Sequence, residues 1–150
     1  MPFGPTFGKK LITKDDDVRI VDAIARAEKG SRGEVRVHLE RRCKPADPME
    51  RAKEVFAELG MHETKEATGV LLYVSLEPRV ACVFAGEGIH GAAAAGFWDR
   101  VVDHVATGFA GGRAADGLVA ALDQVGDLLR QSVPGDDTHG DELPNTVTSS

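Results

Sequence analysis

Gly69-Val70-Leu71-Leu72-Tyr73-Val74-Ser75-Leu76 is the most apolar stretch of the chain, and Glu77-Pro78-Arg79-Val80-Ala81-Cys82-Val83-Phe84-Ala85 follows it directly. The first run is far too short for a membrane helix and rich in strand formers, so it predicts a buried central strand. Pro78 suits the second position of a tight turn, and residues 80–85 resume as another strand, which makes residues 69–85 a hairpin. Burying its large side chains at roughly 1.5 to 3 kcal/mol each gives a gross term on the order of 10 to 20 kcal/mol, at or above a typical net stability. The other elements are therefore expected to pack here.

Upstream, Thr13 is a plausible N-cap, Asp15, Asp16 and Asp17 place negative charge in the first turn of a helix, and Gly30 ends it. Val18, Val21, Ile24 and Ala25 form its expected inward stripe. The three aspartates open a helix rather than close a strand, so dipole compensation explains them without a metal or phospho-aspartate. Glu34-Val35-Arg36-Val37-His38-Leu39-Glu40 alternates strictly, which predicts a strand covered on one side, with Val35, Val37 and Leu39 inward and Arg36 and His38 in solvent. Asp47-Pro48-Met49-Glu50 reads as a helix start, and Ala52, Val55, Phe56 and Leu59 as its buried face. Strand, helix, strand is a crossover unit, so the strands at Val35 and Val70 are expected to be parallel. Two helices follow the hairpin. Phe97, Trp98, Val101, Val102, Val105 and Phe109 lie on the inner face of one, Ala115, Leu118, Val119, Leu122, Val125 and Leu129 on that of the other, and Gly126 allows a close crossing. The expected fold is thus α/β: a three-layer α/β/α sandwich around a small mixed sheet, in the order α-β-α-β-β-α-α. Residues 1–12 read as a loose arm, 13–133 as the domain, and 134–150 as a disordered acidic tail.

Composition removes several function classes. The net charge is −6, but Asp136, Asp137, Asp141 and Glu142 in the tail carry most of it and leave the body near neutral. The compact basic cluster Arg41-Arg42-Cys43-Lys44 has no aromatic residues between its charges, so nucleic acid is not an expected partner. Cys43 and Cys82 suggest no disulfide framework, no segment is long and apolar enough to enter a membrane, and a monomer in the cytoplasm is expected. His62-Glu63 lacks the second histidine of a zinc-protease pair, since Glu66 stands four positions on. Gly86-Glu87-Gly88-Ile89-His90-Gly91 matches a dinucleotide fingerprint, but a helix follows where a parallel strand with an acidic residue is required, so it reads as a strand-to-helix turn.

Topology brings three connections to one end of the sheet, so Glu34, Thr64, Thr68, Glu87 and His90 are expected to be neighbours. Two carboxylates with glycine-loop carbonyls at Gly86 and Gly88 suit a weak site for a hard cation such as Ca²⁺, and a solvated polar rim explains the same residues equally well.

Gly33-Glu34-Val35-Arg36-Val37, Asp47-Pro48 with Ala52 and Phe56, Leu59-Gly60-Met61-His62 with Thr64, Gly69-Val70-Leu71-Leu72-Tyr73, Gly88-Ile89-His90 and Phe97-Trp98 together resemble the short, soluble bacterial branch of the TPM domain family. The resemblance covers about residues 18–134. It implies an α/β/α sandwich. Some plant relatives are described as acid phosphatases, some members bind calcium, and others serve membrane-protein assembly or stress responses. It therefore implies either a divalent-cation module with phosphatase-like activity or a non-catalytic module that engages a membrane-protein or other protein partner through its tail or one-sided first strand. In the first case Glu34 and Glu87 are the metal ligands, Thr64, Thr68, Gly86 and Gly88 bind the ligand, and His90 orients the substrate or leaving group. Gly86 stands where short-branch relatives commonly have an aspartate, which removes one oxygen.

Overall fold

The computed structural model describes residues 12–43, 47–63, 66–77, 79–135 and 147–149. Helix α1 (Lys14–Glu28) starts from a capping box in which Thr13 accepts from the Asp16 amide while the Asp16 side chain accepts from that of Thr13. Gly30 follows its end with φ +80°, a left-handed position that glycine takes without steric cost. Its buried stripe is Ile20, Ala23, Ile24 and Ala27, whereas Val18 is 58 % exposed. The expected stripe was thus rotated, because the helix meets both the sheet and a neighbouring helix.

Strand β1 (Glu34–Arg42) leads through α2 (Pro48–Glu58) and a short 3-10 turn (Met61–Glu63) into β2 (Gly69–Glu77). Asp47 caps α2 by accepting from the Met49 amide at 3.0 Å. β2 pairs parallel with β1 from Glu34↔Gly69 onward, and antiparallel with β3 (Arg79–Ala85) from Val70↔Ala85 to Leu76↔Arg79. Hairpin and crossover are therefore as the sequence predicts. One short helix, α3 (Glu87–His90), precedes α4 (Phe97–Ala110) and α5 (Ala114–Ser132).

The chain then returns where the sequence suggested only a disordered tail. Residues Val147–Ser149 form β4, parallel to β1 with Val37↔Val147 and Leu39↔Ser149. The sheet order is β3-β2-β1-β4. The expected arm at residues 1–11 and residues 136–146 of the tail lie outside the described residues.

Alternation along the strands sorts the core into two layers. Val35, Val37, Val70, Leu72 and Val74 pack against α1, α4 and α5, while Leu71 and Tyr73 meet Ala52, Val55 and Phe56 of α2. Three helices on one face and one on the other give the sandwich. Gly126 lies so close to α1 that a Cβ there would sit 2.7 Å from the Cα of Ala27, the close crossing anticipated from sequence.

Candidate functional site

The backbone of the anticipated loop cluster does converge. The Glu34 amide donates to the Thr68 carbonyl at 3.3 Å, Gly86 to Gly69 at 2.8 Å, and Gly88 to Ala67 at 2.8 Å. Contact is tight: a Cβ on Gly86 would lie 2.3 Å from the Ala67 carbonyl oxygen, and one on Gly88 2.0 Å from that of Glu66. Ala67 itself has φ +54°, rare for a residue with a Cβ. The glycines at 86 and 88 are thus required for two backbones to touch. α3 spans only four residues, Glu87–His90, too little for a dinucleotide-binding helix.

Side chains at this rim go different ways. Glu34 is buried and lies 3.3 Å from Arg36 Nη2. The Thr68 hydroxyl donates to the Arg32 carbonyl at 3.2 Å, and Arg32 grips the Glu66 carboxylate through Nε and Nη2 at 2.8 and 3.0 Å. Glu87 is exposed and borders a cavity of about 420 Å³ with Lys53, Phe56, His62 and Gly86. His90 is exposed, stacks on Trp98 with ring centroids 6.3 Å apart, and lines a different cavity of about 440 Å³. Trp98, expected in the core, is only half-buried. Thr64 lies outside the described residues. A hard cation takes six to eight oxygens, and among the described residues no three His, Cys, Asp or Glu side chains gather to hold one. The described donors alone do not fit a complete cation site, since the Glu34 carboxylate already faces a guanidinium.

The least anticipated chemistry lies on the second face of β1. His38 and Arg36 were expected in solvent, but Arg36 is 2 %, His38 3 % and Glu40 4 % exposed. At one end, Glu28 reaches over from α1: its Oε2 accepts from the Val35 amide at 2.8 Å and from Arg36 Nη1 at 2.9 Å. At the other, Glu40 takes Arg51 Nη2 at 2.7 Å and Nε at 3.0 Å, and accepts from the Tyr73 hydroxyl at 2.5 Å. Between them His38 Nδ1 lies 2.7 Å from Thr148 Oγ1 of β4 and its ring stacks near Tyr73.

Burial opposes charge on Glu40, yet the hydrogen bonds from Arg51 and Tyr73 prevail and hold its carboxyl below the usual range. Burial also drives His38 below its ordinary value against the pull of Glu40, and burial with the bond to Glu40 drives the Tyr73 phenol up. Glu40 is therefore a charged anchor rather than a proton carrier. Cys82 is a poor nucleophile as well, since burial pushes its thiol up to about 11. A sequence signal for this network existed: Glu34, Arg36, His38 and Glu40 recur at every second position, so all four share one face.

A family profile for the TPM domain matches residues 7–128. No curated protein matches the chain. Among solved structures, the BA42 protein of the psychrophilic bacterium Bizionia argentinensis is 36 % identical, over 93 % of this chain and 95 % of that one, with a TM-score of 0.82. The N-terminal domain of a protein from P. gingivalis is 19 % identical over 83 % of this chain and 80 % of its own, with a TM-score of 0.69. The N-terminal domain of the cg2496 protein from Corynebacterium glutamicum is 14 % identical over 83 % and 78 %, with a TM-score of 0.63; at these identities the last two show the fold alone. Profile, fold and the 36 % relative agree: the chain belongs to the TPM domain family.

Proposed function

We propose that this chain is a non-catalytic TPM module that works by binding another protein. One observation carries the reading: the buried ionisable groups of β1 are engaged with one another, Glu28 and Glu34 with Arg36, and Glu40 with Arg51 and Tyr73. A general acid or base needs a pKa near the working pH and access to substrate, whereas Glu40 is held charged and His38 is buried. Of the two surfaces first suggested, the acidic tail at residues 136–146 lies outside the described residues, and the one-sided first strand is already covered. β1 has no solvated face, and its outer edge carries β4.

The competing reading, a divalent-cation site with phosphatase-like activity at Glu34, Thr68 and Glu87, is separated by one experiment. Ca²⁺, Mg²⁺ and Mn²⁺ are titrated while amide shifts are followed, and turnover of para-nitrophenyl phosphate is measured in parallel. The module reading expects no saturable shifts at those residues up to millimolar metal and no turnover. Saturation there with ester hydrolysis overturns it.

A further inference from the structure

β3 is an outer strand of the sheet, and among the described residues no strand pairs with its outer edge. In antiparallel pairing the ladder bonds alternate. Gly86 donates to Gly69 at 2.8 Å, which fixes the phase: residues 80, 82 and 84 bond to β2, and Ala81, Val83 and Ala85 turn their N–H and C=O outward. Natural edges are guarded by charge, proline, bulges or a covering segment. Arg79 puts one exposed charge at the start of this edge, but from Val80 to Ala85 there is no charge or proline, and the register with β2 runs unbroken.

This edge lies in a trough walled by α4. One cavity, about 440 Å³, lies beside Ala81 and Val83 with Met49, Trp98, Val102 and the acids Asp99 and Asp103; another, about 220 Å³, continues past Arg79 and Val80 to Val105 and Phe109, so the acids lie at one end of the trough and Arg79 at the other. Length matches too, since β3 spans about 20 Å at 3.3 Å per residue and α4 about 20 Å at 1.5 Å per residue. Asp99 and Asp103 are exposed and one helical turn apart, about 6 Å along the axis. Alternate side chains of a strand stand about 6.6 Å apart, so two basic residues at i and i+2 can face both acids.

We infer that the outer edge of β3 takes an extended basic segment of a protein partner as a fifth strand, with aliphatic side chains in the trough and Lys or Arg against Asp99 and Asp103. Charge selects this occupant over a second copy. Self-pairing about Cys82, the middle of β3, would crowd Asp99 and Asp103 of both copies into one stretch. The inference rests on the module reading above and gives it a surface and a partner chemistry.

The test titrates the full chain with an acetylated, amidated heptapeptide of alternating Val and Lys, and with its Glu-for-Lys counterpart. Saturable amide shifts at Ala81, Val83 and Ala85 are expected, with slowed exchange at Ala81 and Val83 and binding of the Glu peptide at least roughly tenfold weaker. Val83→Pro deletes an outward donor where an edge strand tolerates proline, and should weaken binding roughly tenfold. The pair Asp99→Asn and Asp103→Asn leaves the backbone untouched and should abolish the preference for Lys over Glu. Equal affinity for both peptides, or no loss in both variants, overturns the inference. Concentration-dependent shifts at β3 without peptide would make a second copy the occupant and overturn it as well. Saturation elsewhere removes the β3 assignment but leaves the module reading standing, which only the metal and ester titration decides.

Discussion

Along the outer side of β1, the Glu28 carboxylate accepts from the Val35 amide and β4 covers Val37 to Leu39; along the outer side of β3, beyond Arg79 at its start, Ala81 and Val83 face out with no proline, bulge or covering strand among the described residues. Both are outer sides of strands in one small sheet, yet one is closed by a buried acid and a returning tail and the other borders a trough with charged residues at its ends. An unpaired strand edge is a template for pairing, so of these two edges the one without a partner strand among the described residues is where the proposed strand addition is assigned.

The comparison breaks most directly at Glu28. Glu28→Ala strips the Val35 amide of its acceptor and removes one carboxylate from the buried Arg36, so a loss of about 3 to 5 kcal/mol is expected in urea unfolding, with faster amide exchange at Val35. A loss under about 1 kcal/mol would mean that this closure is incidental. Deleting residues 147–150 uncovers Val37 and Leu39 and takes Thr148 from His38; about 1 to 2 kcal/mol is expected, and the thermal midpoint should fall accordingly.

Acid should weaken the closed side through His38 and Glu40. Because the folded-state pKa of His38 lies below its ordinary 6.5, the unfolded chain takes up the proton first, and stability falls as pH drops through and below that value. Glu40, held below 4.5, adds a second loss at lower pH, and above 6.5 neither group contributes a slope. Unfolding curves across this range should show both, and His38→Gln should flatten the upper part alone. The smallest effect belongs to the open edge: Val83→Pro removes no ladder bond and should cost under about 1 kcal/mol more than Val83→Ala, which truncates the same half-buried side chain, whereas a larger excess would show that this N–H has an internal partner.

What could be read from the sequence follows the range of the forces involved. The hairpin, the parallel crossover and the caps at Thr13 and Asp47 are written in neighbouring residues. The convergence of residues 34, 68 and 86 followed from topology alone, but not where the side chains at that rim go: Glu34 meets Arg36, its same-face neighbour two positions on, and Glu66 meets Arg32. Burial of Arg36 and His38 was illegible because their covers come from elsewhere, Glu28 from the end of α1 and Thr148 from a segment whose Ser, Thr and acidic composition resembles disorder. The β-branched run Val147-Thr148 was its one local hint. The stripe of α1 was misplaced by Val18, which periodicity admits and packing leaves out.

The two covers of β1 also differ in when they exist. Glu28 precedes β1 in the chain, but β4 lies about a hundred residues beyond it, which at synthesis rates of roughly 5 to 20 residues per second is a delay on the order of ten seconds. Until then β1 has no β4 to pair with, and the Glu28 carboxylate is the one of its two outer covers already synthesised. Glu28 is therefore also the guard of a half-made protein.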